Sequence, residues 1–158
     1  MLRSTRGLTR SITLALLLAL AACASASAPT GTTTAAAVAP PPLPVPPSDP
    51  RAAPSAETLD SYRAWISWAR RQHPYAESEA RMYAVMMCES GGRPLIVNPA
   101  GPYTGLFQYA NGTWNGAWNT YRNRGVKDPE AQILATALAW SLNMQNHWGC
   151  YRKTATTP

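Results

Sequence analysis

Aromatic side chains are missing from the first part of this 158-residue chain, since all fourteen (six Trp, seven Tyr and one Phe) lie between Tyr62 and Tyr151. The same part of the chain is rich in proline, with nine of the 15 prolines between Pro29 and Pro54. A packed core can therefore form only in the last hundred or so residues, which is enough for one domain but not for two. Glycine, proline and tryptophan interrupt every candidate heptad run and so exclude a coiled coil.

The apolar run near the N-terminus is too short to span a bilayer as a mature helix. It covers residues 12–22, or eleven residues, whereas a spanning helix needs about 20. Arg3, Arg6 and Arg10 precede this run and small residues follow it, which is typical of a secretory signal peptide. We therefore predict that residues 1–22 are a signal peptide and that the protein is exported.

The mature chain lacks a strong charge of either sign. Without the three arginines of the signal peptide, 11 basic residues stand against 8 acidic ones, and the formal charge falls from +6 to +3. Only Arg70-Arg71 and Arg152-Lys153 are adjacent basic pairs, whereas a surface that follows a phosphate backbone needs a cluster. We expect no nucleic-acid partner.

The end of the predicted signal peptide, Leu20-Ala21-Ala22-Cys23, resembles the bacterial lipobox. This resemblance implies that Cys23 is lipidated and becomes the first mature residue, because acyl chains bury in a membrane at about 0.8 kcal/mol per CH₂. The protein would then lie in the cell envelope, on the periplasmic side of the outer membrane if the cell is Gram-negative. The alternative is cleavage at residues 26–28, which would leave a soluble secreted protein.

Residues 23–56 are predicted to be the lipid anchor and a linker rich in Pro and Ala. Such a composition cannot bury apolar area and favours polyproline II, a stiff spacer of about 3.1 Å per residue. The linker would hold the folded domain, residues 57–158, at a distance from the membrane. An alternative interpretation is a ligand for a proline-binding module.

The folded domain is predicted to be mainly α-helical, with a short β-hairpin or a loop over residues 94–109. Apolar residues at helical spacing predict a first helix over about 57–72, ended by Pro74. Ser78 can cap a second helix, which Gly91-Gly92 ends. A short helix is expected near Thr113.

A long helix is predicted to start at Asp128-Pro129-Glu130, since a capping carboxylate is followed by proline at the first helical position. The buried face of this helix is predicted to consist of Ile133, Leu134, Ala137, Leu138, Ser141 and Met144. Both acidic residues at its start are therefore explained by capping and by the helix dipole.

Only Cys88 and Cys150 are left as thiols once Cys23 is lipidated or removed. Two cysteines in an exported chain most simply form one disulfide. The alternative is a zinc site that adds His73 and His147, but the spacings match no compact metal motif. We therefore predict a disulfide, and no metal or other cofactor.

Glu89 is the one acidic residue between Ala80 and Lys127. It follows the apolar face of the second helix, so partial burial and the negative helix end both raise its expected pKa. A carboxyl that stays protonated near neutral pH can act as the general acid that cleaves a glycosidic bond. The alternative is an ordinary solvated glutamate at a helix end.

Six short segments within about residues 60–151 form a recognisable set. They are Cys88-Glu89-Ser90-Gly91-Gly92, Asn98-Pro99, Thr104-Gly105-Leu106-Phe107-Gln108, Thr113-Trp114, Gln132-Ile133 and Trp148-Gly149-Cys150. Together they resemble the lysozyme-like peptidoglycan-cleaving superfamily, and most nearly the soluble lytic transglycosylases and the resuscitation-promoting-factor-type domains. The resemblance implies a lysozyme-like α+β fold with Glu89 as the catalytic acid and peptidoglycan glycan strands as the partner of a monomeric protein. It also places Cys88 and Cys150 where the resuscitation-factor type has paired cysteines.

The same resemblance implies a glycan-binding cleft lined by Gln108, with Thr113 and Trp114 nearby. The Tyr-Asn-Ala-Gly motif usual near the end of the transglycosylases is absent, and Trp140-Ser141-Leu142-Asn143 occupies the comparable helix only loosely. The substrate-binding residues predicted on this basis are Ser90, Gln108, Thr113, Trp114, Trp140 and Tyr151.

The reaction depends on whether a second carboxylate reaches the cleft. A glycosidase uses a second carboxyl about 5–9.5 Å from the acid, and the candidates downstream of Glu89 are Asp128 and Glu130. If both only start the long helix, Glu89 acts alone, which is the lytic transglycosylase route to 1,6-anhydro-MurNAc ends. The alternatives are hydrolysis by a muramidase and a non-catalytic peptidoglycan-binding lipoprotein.

Overall fold

The computed structural model of the protein describes residues 39–42 and 48–157. The predicted signal peptide, the predicted lipidation site at Cys23 and most of the predicted linker lie outside the described residues. In the described ranges, no helix is both long and apolar enough to cross a membrane.

The described chain is mainly α-helical, as predicted, and carries one two-stranded antiparallel sheet. Its elements are α1 (Ala56–Gln72), α2 (Glu79–Ser90), β1 (Val97–Asn98), β2 (Tyr103–Thr104), α3 (Asn111–Trp114), α4 (Pro129–Ser141) and α5 (Gly149–Lys153), with 3₁₀ turns at Arg122–Arg124 and Gln145–His147. The turn at Gln145–His147 and α5 follow no periodic signal, because three and five residues are too few to show an apolar periodicity.

Serine side chains cap the starts of α1 and α2, and a glycine ends α2. The Ser55 hydroxyl accepts the Thr58 N–H at 3.2 Å at the start of α1, and the Ser78 hydroxyl accepts the Arg81 N–H at 3.1 Å at the start of α2. Gly91 ends α2 in the left-handed region, at φ 64°. The predicted cap at Ser78 and the predicted stop at Gly91 are therefore confirmed.

The central helix is α4, which buries ten of its thirteen residues. Asp128 caps it by accepting the Ala131 N–H at 3.1 Å, and Pro129 is its first residue, as predicted. A helix buried on nearly all sides must lie inside the domain, and α1 packs against both α4 and α2. The helix ends at Ser141, so the prediction that Met144 lies on its face is wrong, although Met144 still packs against the core.

Residues 94–109, for which the sequence predicted either a loop or a hairpin, contain a hairpin. β1 and β2 pair antiparallel with Asn98 opposite Tyr103 and Val97 opposite Thr104. Side chains of directly opposed residues lie on the same face of a sheet, so Asn98 and Tyr103 share one face of the hairpin.

Cys88 and Cys150 are joined by a disulfide, with 5.9 Å between their Cα atoms, which confirms the predicted bond. It connects the last turn of α2 to the start of α5. His73, one of the ligands of the alternative zinc site, has its ring nitrogen 2.6 Å from the Tyr121 hydroxyl.

The end of the predicted linker packs against the folded domain. A Cβ atom added at Gly92 would lie 3.2 Å from Cγ of Pro54 and 2.9 Å from Cδ2 of Leu59. The Ser61 hydroxyl also donates to the carbonyl oxygen of Pro42 at 2.9 Å. Pro54 therefore lies against the turn that follows α2, and Pro42 is bonded to α1.

Candidate active site

A cleft opens at the C-terminal end of α2, and we call it the Glu89 cleft. Its first part has a volume of about 310 Å³ and is lined by Glu89, Asn98, Tyr103, Gln108, His147, Trp148 and Gly149. A second part, of about 210 Å³, adds Tyr109, Ala110 and Thr113. Tyr103, Gln108, His147 and Trp148 line both parts, so the two form one continuous groove.

Glu89 lies in the last turn of α2 and is half-buried. Burial raises the pKa of its carboxyl, while the Cys150 N–H, which donates to Oε1 at 3.0 Å, and the positive charge of Lys153 pull the pKa down. Burial is the largest of these effects, and the pKa lies above its usual value. This direction agrees with the one predicted from the sequence, and burial is the predicted cause that accounts for it.

No second carboxylate lines the Glu89 cleft among the described residues, which include all eight Asp and Glu of the chain. Both oxygens of Glu130 accept from Arg124, at 2.8 and 2.7 Å, and Asp128 accepts from the same guanidinium at 3.0 Å. The two candidate partners of Glu89 are therefore held at the start of α4, as predicted.

Two of the predicted binding residues besides Glu89 line the cleft, namely Gln108 and Thr113. Gln108 has a left-handed backbone, at φ 48°, which is uncommon for a residue with a side chain. Its Nε2 donates to the Gly105 carbonyl oxygen at 2.9 Å, and its Oε1 accepts no hydrogen bond from the described residues. The side chain is thus fixed while its amide oxygen stays available to a ligand.

Ser90 does not line the cleft, since only 2% of it is exposed. Its hydroxyl donates to the Leu106 carbonyl oxygen at 2.8 Å and accepts the Gly92 N–H at 3.1 Å. Ser90 therefore ties the end of α2 to the segment that carries Gln108, and it is the neighbour of Glu89 rather than a ligand contact.

Trp114, Trp140 and Tyr151 also lie outside the cleft. Trp114 and Trp140 are core residues, exposed by 3% and 1%, because large aromatic rings gain most from full burial. The Tyr151 hydroxyl donates to Oε1 of Glu77 at 2.7 Å. The prediction that these three residues contact substrate is not supported by their positions.

The segment that leads to Gln108 is fixed to α4 by Gln132, a residue of that helix whose side chain is fully buried. Its Oε1 accepts the Phe107 N–H and its Nε2 donates to the Pro94 carbonyl oxygen, both at 3.4 Å. Gly105, at φ 83°, lies so close to this amide that a Cβ atom would overlap it. Glycine is therefore required at this position both for its backbone conformation and for the close approach.

Several lining residues were not predicted to bind substrate: Asn98, Tyr103, His147, Trp148 and Gly149. His147 was considered only as a ligand of the alternative zinc site. Asn98 and Trp148-Gly149 belong to the segments that carry the family resemblance, so this signal was present in the sequence. Tyr103 follows from the register of the hairpin, which places it beside Asn98. No pattern in the sequence marks His147.

Comparison of the chain with models of protein families, with curated proteins and with solved structures found no match. The resemblance seen in the short segments stays a prediction, and the residues of the cleft carry the functional proposal.

Proposed function

We propose that this protein is a peptidoglycan lytic transglycosylase, which cleaves the β-1,4 bond between MurNAc and GlcNAc and leaves 1,6-anhydro-MurNAc ends. Glu89 is the single catalytic residue of this reaction, and no cofactor takes part. The substrate is the glycan strand of peptidoglycan, which enters the Glu89 cleft.

The observation that carries the proposal is the half-buried carboxyl of Glu89, alone of its kind in the cleft and with a raised pKa. A general acid must hold a proton at the working pH. Burial acts in this direction for Glu89, because a desolvated carboxyl favours its neutral form and the pKa is raised.

In the first step Glu89 donates its proton to the glycosidic oxygen, and the bond between this oxygen and C1 of MurNAc breaks. Positive charge develops at C1, as in other glycosidic cleavages. The Glu89 carboxylate, now unprotonated, lies beside this charge and stabilises it.

In the second step the 6-hydroxyl oxygen of the same MurNAc bonds to C1, and its proton returns to Glu89. The product is a 1,6-anhydro ring, and the carboxyl ends as it began. No second carboxylate is needed, which accords with Asp128 and Glu130 being paired with Arg124.

The rest of the cleft suits a carbohydrate. Tyr103 is 43% exposed and offers an aromatic surface on which a sugar ring can stack. Asn98, Gln108 and Thr113 add amide and hydroxyl groups to the lining, and these can exchange hydrogen bonds with sugar hydroxyl and N-acetyl groups.

The predicted N-terminal segments fit the same substrate. A lipid on Cys23 would hold the protein at a membrane, and a stiff linker would let the domain reach the peptidoglycan layer. We therefore propose an exported lipoprotein of the cell envelope.

Glu89→Gln is the variant that tests the proposal, because it keeps the size and hydrogen bonding of the side chain but removes the acidic proton. We expect glycan cleavage to fall by about 10⁴-fold or more while the fold and glycan binding are kept, since the residue serves as both acid and base. Mass spectrometry of the muropeptides released from purified peptidoglycan measures the product.

Asp128→Asn is the matched control, since it also converts a carboxyl to an amide but lies at the start of α4. It should keep nearly full activity. Anhydro ends from the wild type support the transglycosylase, and reducing ends would replace it by a muramidase. If the peptidoglycan sacculus binds the protein but is not digested, the protein is a non-catalytic peptidoglycan-binding lipoprotein. Full activity of Glu89→Gln would overturn the proposal that it is an enzyme of this kind.

A further inference from the structure

Glu89 and the disulfide form a closed ring at the edge of the cleft. The Cys150 N–H donates to Oε1 of Glu89 at 3.0 Å. The sulfur of Cys150 is bonded to Cys88, which directly precedes Glu89 in the chain. The hydrogen-bond donor of the carboxyl is therefore covalently tied to the residue next to it.

The N–H group of Cys150 has no partner in its own helix, since it lies in the first turn of α5. Its acceptor is Oε1 of Glu89. The other oxygen, Oε2, accepts no hydrogen bond from the described residues. The two oxygens of the carboxyl thus differ, one held by the backbone and one left to the cleft.

Other side-chain contacts also hold the start of α5. The Trp148 indole N–H, at its N-cap, donates to the Phe107 carbonyl oxygen at 2.9 Å, and the Thr154 hydroxyl donates to the Cys150 carbonyl oxygen at 2.9 Å. The remaining ones act on Tyr151. The Tyr151 hydroxyl donates to Glu77, and the Arg81 guanidinium donates to the Tyr151 carbonyl oxygen at 3.1 Å and lies 4.1 Å from the centre of its ring. These contacts fix Tyr151 without reaching the sulfur or the N–H of Cys150. The disulfide is what ties Cys150 directly to the end of α2.

We propose that Cys150 is a positioning residue for Glu89: its backbone N–H holds Oε1, and the Cys88–Cys150 disulfide holds that N–H in place. This inference rests on the proposed function. The carbonyl oxygen of a neutral acid is a better acceptor than its hydroxyl oxygen, so the N–H on Oε1 favours the acidic proton on Oε2. The disulfide thereby selects the oxygen that gives its proton to the glycosidic bond.

An ester in place of the peptide bond before Cys150 tests the inference. Substituting Cys150 by its α-hydroxy acid analogue removes the N–H and keeps the side chain and the disulfide. We expect kcat on purified peptidoglycan to fall by about 10- to 100-fold with little change in KM, because the substrate contacts remain while the carboxyl loses its orientation.

The matched control is the same ester at Thr154, whose N–H donates to the Cys150 carbonyl oxygen at 3.0 Å in the same helix. It loses a backbone hydrogen bond of the same kind without touching Glu89, and kcat should stay at the wild-type value. Equal losses in the two ester variants would assign the effect to the stability of α5 and overturn the inference.

A second variant tests the disulfide itself. Cys88→Ala combined with Cys150→Ala, assayed at a temperature where circular dichroism shows it folded, should lose kcat as the Cys150 ester does. Wild-type kcat in this variant would show that the disulfide does not hold the N–H. If this variant does not fold, the two ester variants still decide whether the Cys150 N–H positions Glu89.

The proposed function can be distinguished from this inference in the same set of assays. If the wild type cleaves glycan, Glu89→Gln does not and the Cys150 ester keeps full kcat, then the positioning role is wrong and the proposed function stands. If the oxidised wild type cleaves no glycan, both fail.

Discussion

At the scale of single residues, ionised Glu89 lowers the free energy of unfolding. Burial raises the pKa of its carboxyl, whereas the Cys150 N–H and Lys153 favour the ionised form. Ionising this carboxyl therefore costs more free energy in the folded protein than in the unfolded chain, and the ionised form prevails at high pH. The residue costs stability in the pH range where it has lost its proton.

Glu89→Gln should therefore stabilise the protein at high pH more than at low pH. Since the pKa of Glu89 is raised by folding, its favourable contribution is fully present below the unfolded-state pKa and is lost as the pH rises through the folded-state pKa. Glutamine does not titrate. Urea unfolding of wild type and variant at about pH 4 and pH 8 measures the difference, and an equal difference at both values would contradict the shift.

Gln108 allows a test that separates side-chain function from backbone strain, because its backbone is left-handed at φ 48°. Gln108→Gly and Gln108→Ala both remove the amide from the cleft, so both should lower glycan cleavage by a similar factor. The glycine variant should be more stable by about 1 kcal/mol, since alanine is strained in this conformation and glycine is not. Urea unfolding checks the order, and a more stable alanine variant would show that the backbone had relaxed.

At the scale of secondary-structure elements, the cleft is built where short segments are fastened to helices. Ser90 joins α2 to the segment 104–108, and Gln132 joins the same segment to α4. Both residues are buried and polar, and their hydrogen bonds fix the segment more closely than apolar packing alone would. The segment contributes Gln108 to the cleft, so the helices determine its geometry.

Gly105→Ala should disrupt this arrangement. A Cβ atom would overlap the buried amide of Gln132, and the left-handed backbone adds strain. Together these effects should lower the free energy of unfolding by about 2–5 kcal/mol. Gly112→Ala is the control, because nothing lies within 4 Å of its added Cβ and alanine favours helices by about 1 kcal/mol. Similar stabilities of the two variants in urea would contradict the close packing.

At the scale of the whole molecule, the disulfide closes a long loop. It joins two residues 62 positions apart, so that the hairpin, α3 and α4 all lie between its ends. A cross-link over such a loop restricts the unfolded chain more than the folded one. The bond therefore supports the fold that surrounds the Glu89 cleft.

Cys88→Ala and Cys150→Ala should each lower the free energy of unfolding by about 2–5 kcal/mol. The double variant should be no less stable than either single one, because the bond can be lost only once. Chemical denaturation of the domain without Cys23 measures this. Additive losses, or two titratable thiols in the oxidised and unfolded wild-type domain, would contradict the disulfide.

The amino-acid sequence by itself determined the main helices, both ends of α2, the start of α4 and the disulfide. Caps and stops act on their own neighbours, so Ser78, Gly91 and Asp128 are readable without the fold. The disulfide followed from the prediction that the chain is exported and that Cys23 is lipidated or removed, since the two cysteines that remain have one way to pair. Glu89 stood out for a similar reason, as the one acid in a stretch of nearly fifty residues.

Only the tertiary structure decided which side chains line the cleft. Periodicity along a helix shows that one face is buried, but not whether a distant segment covers it. Trp140 is covered on two sides by the rings of Tyr75 and Tyr151 and lies in the core, whereas Tyr103 stays exposed on a two-residue strand. The physical reason is that burial depends on contacts between residues far apart in sequence, and these form only when the helices and the hairpin pack together.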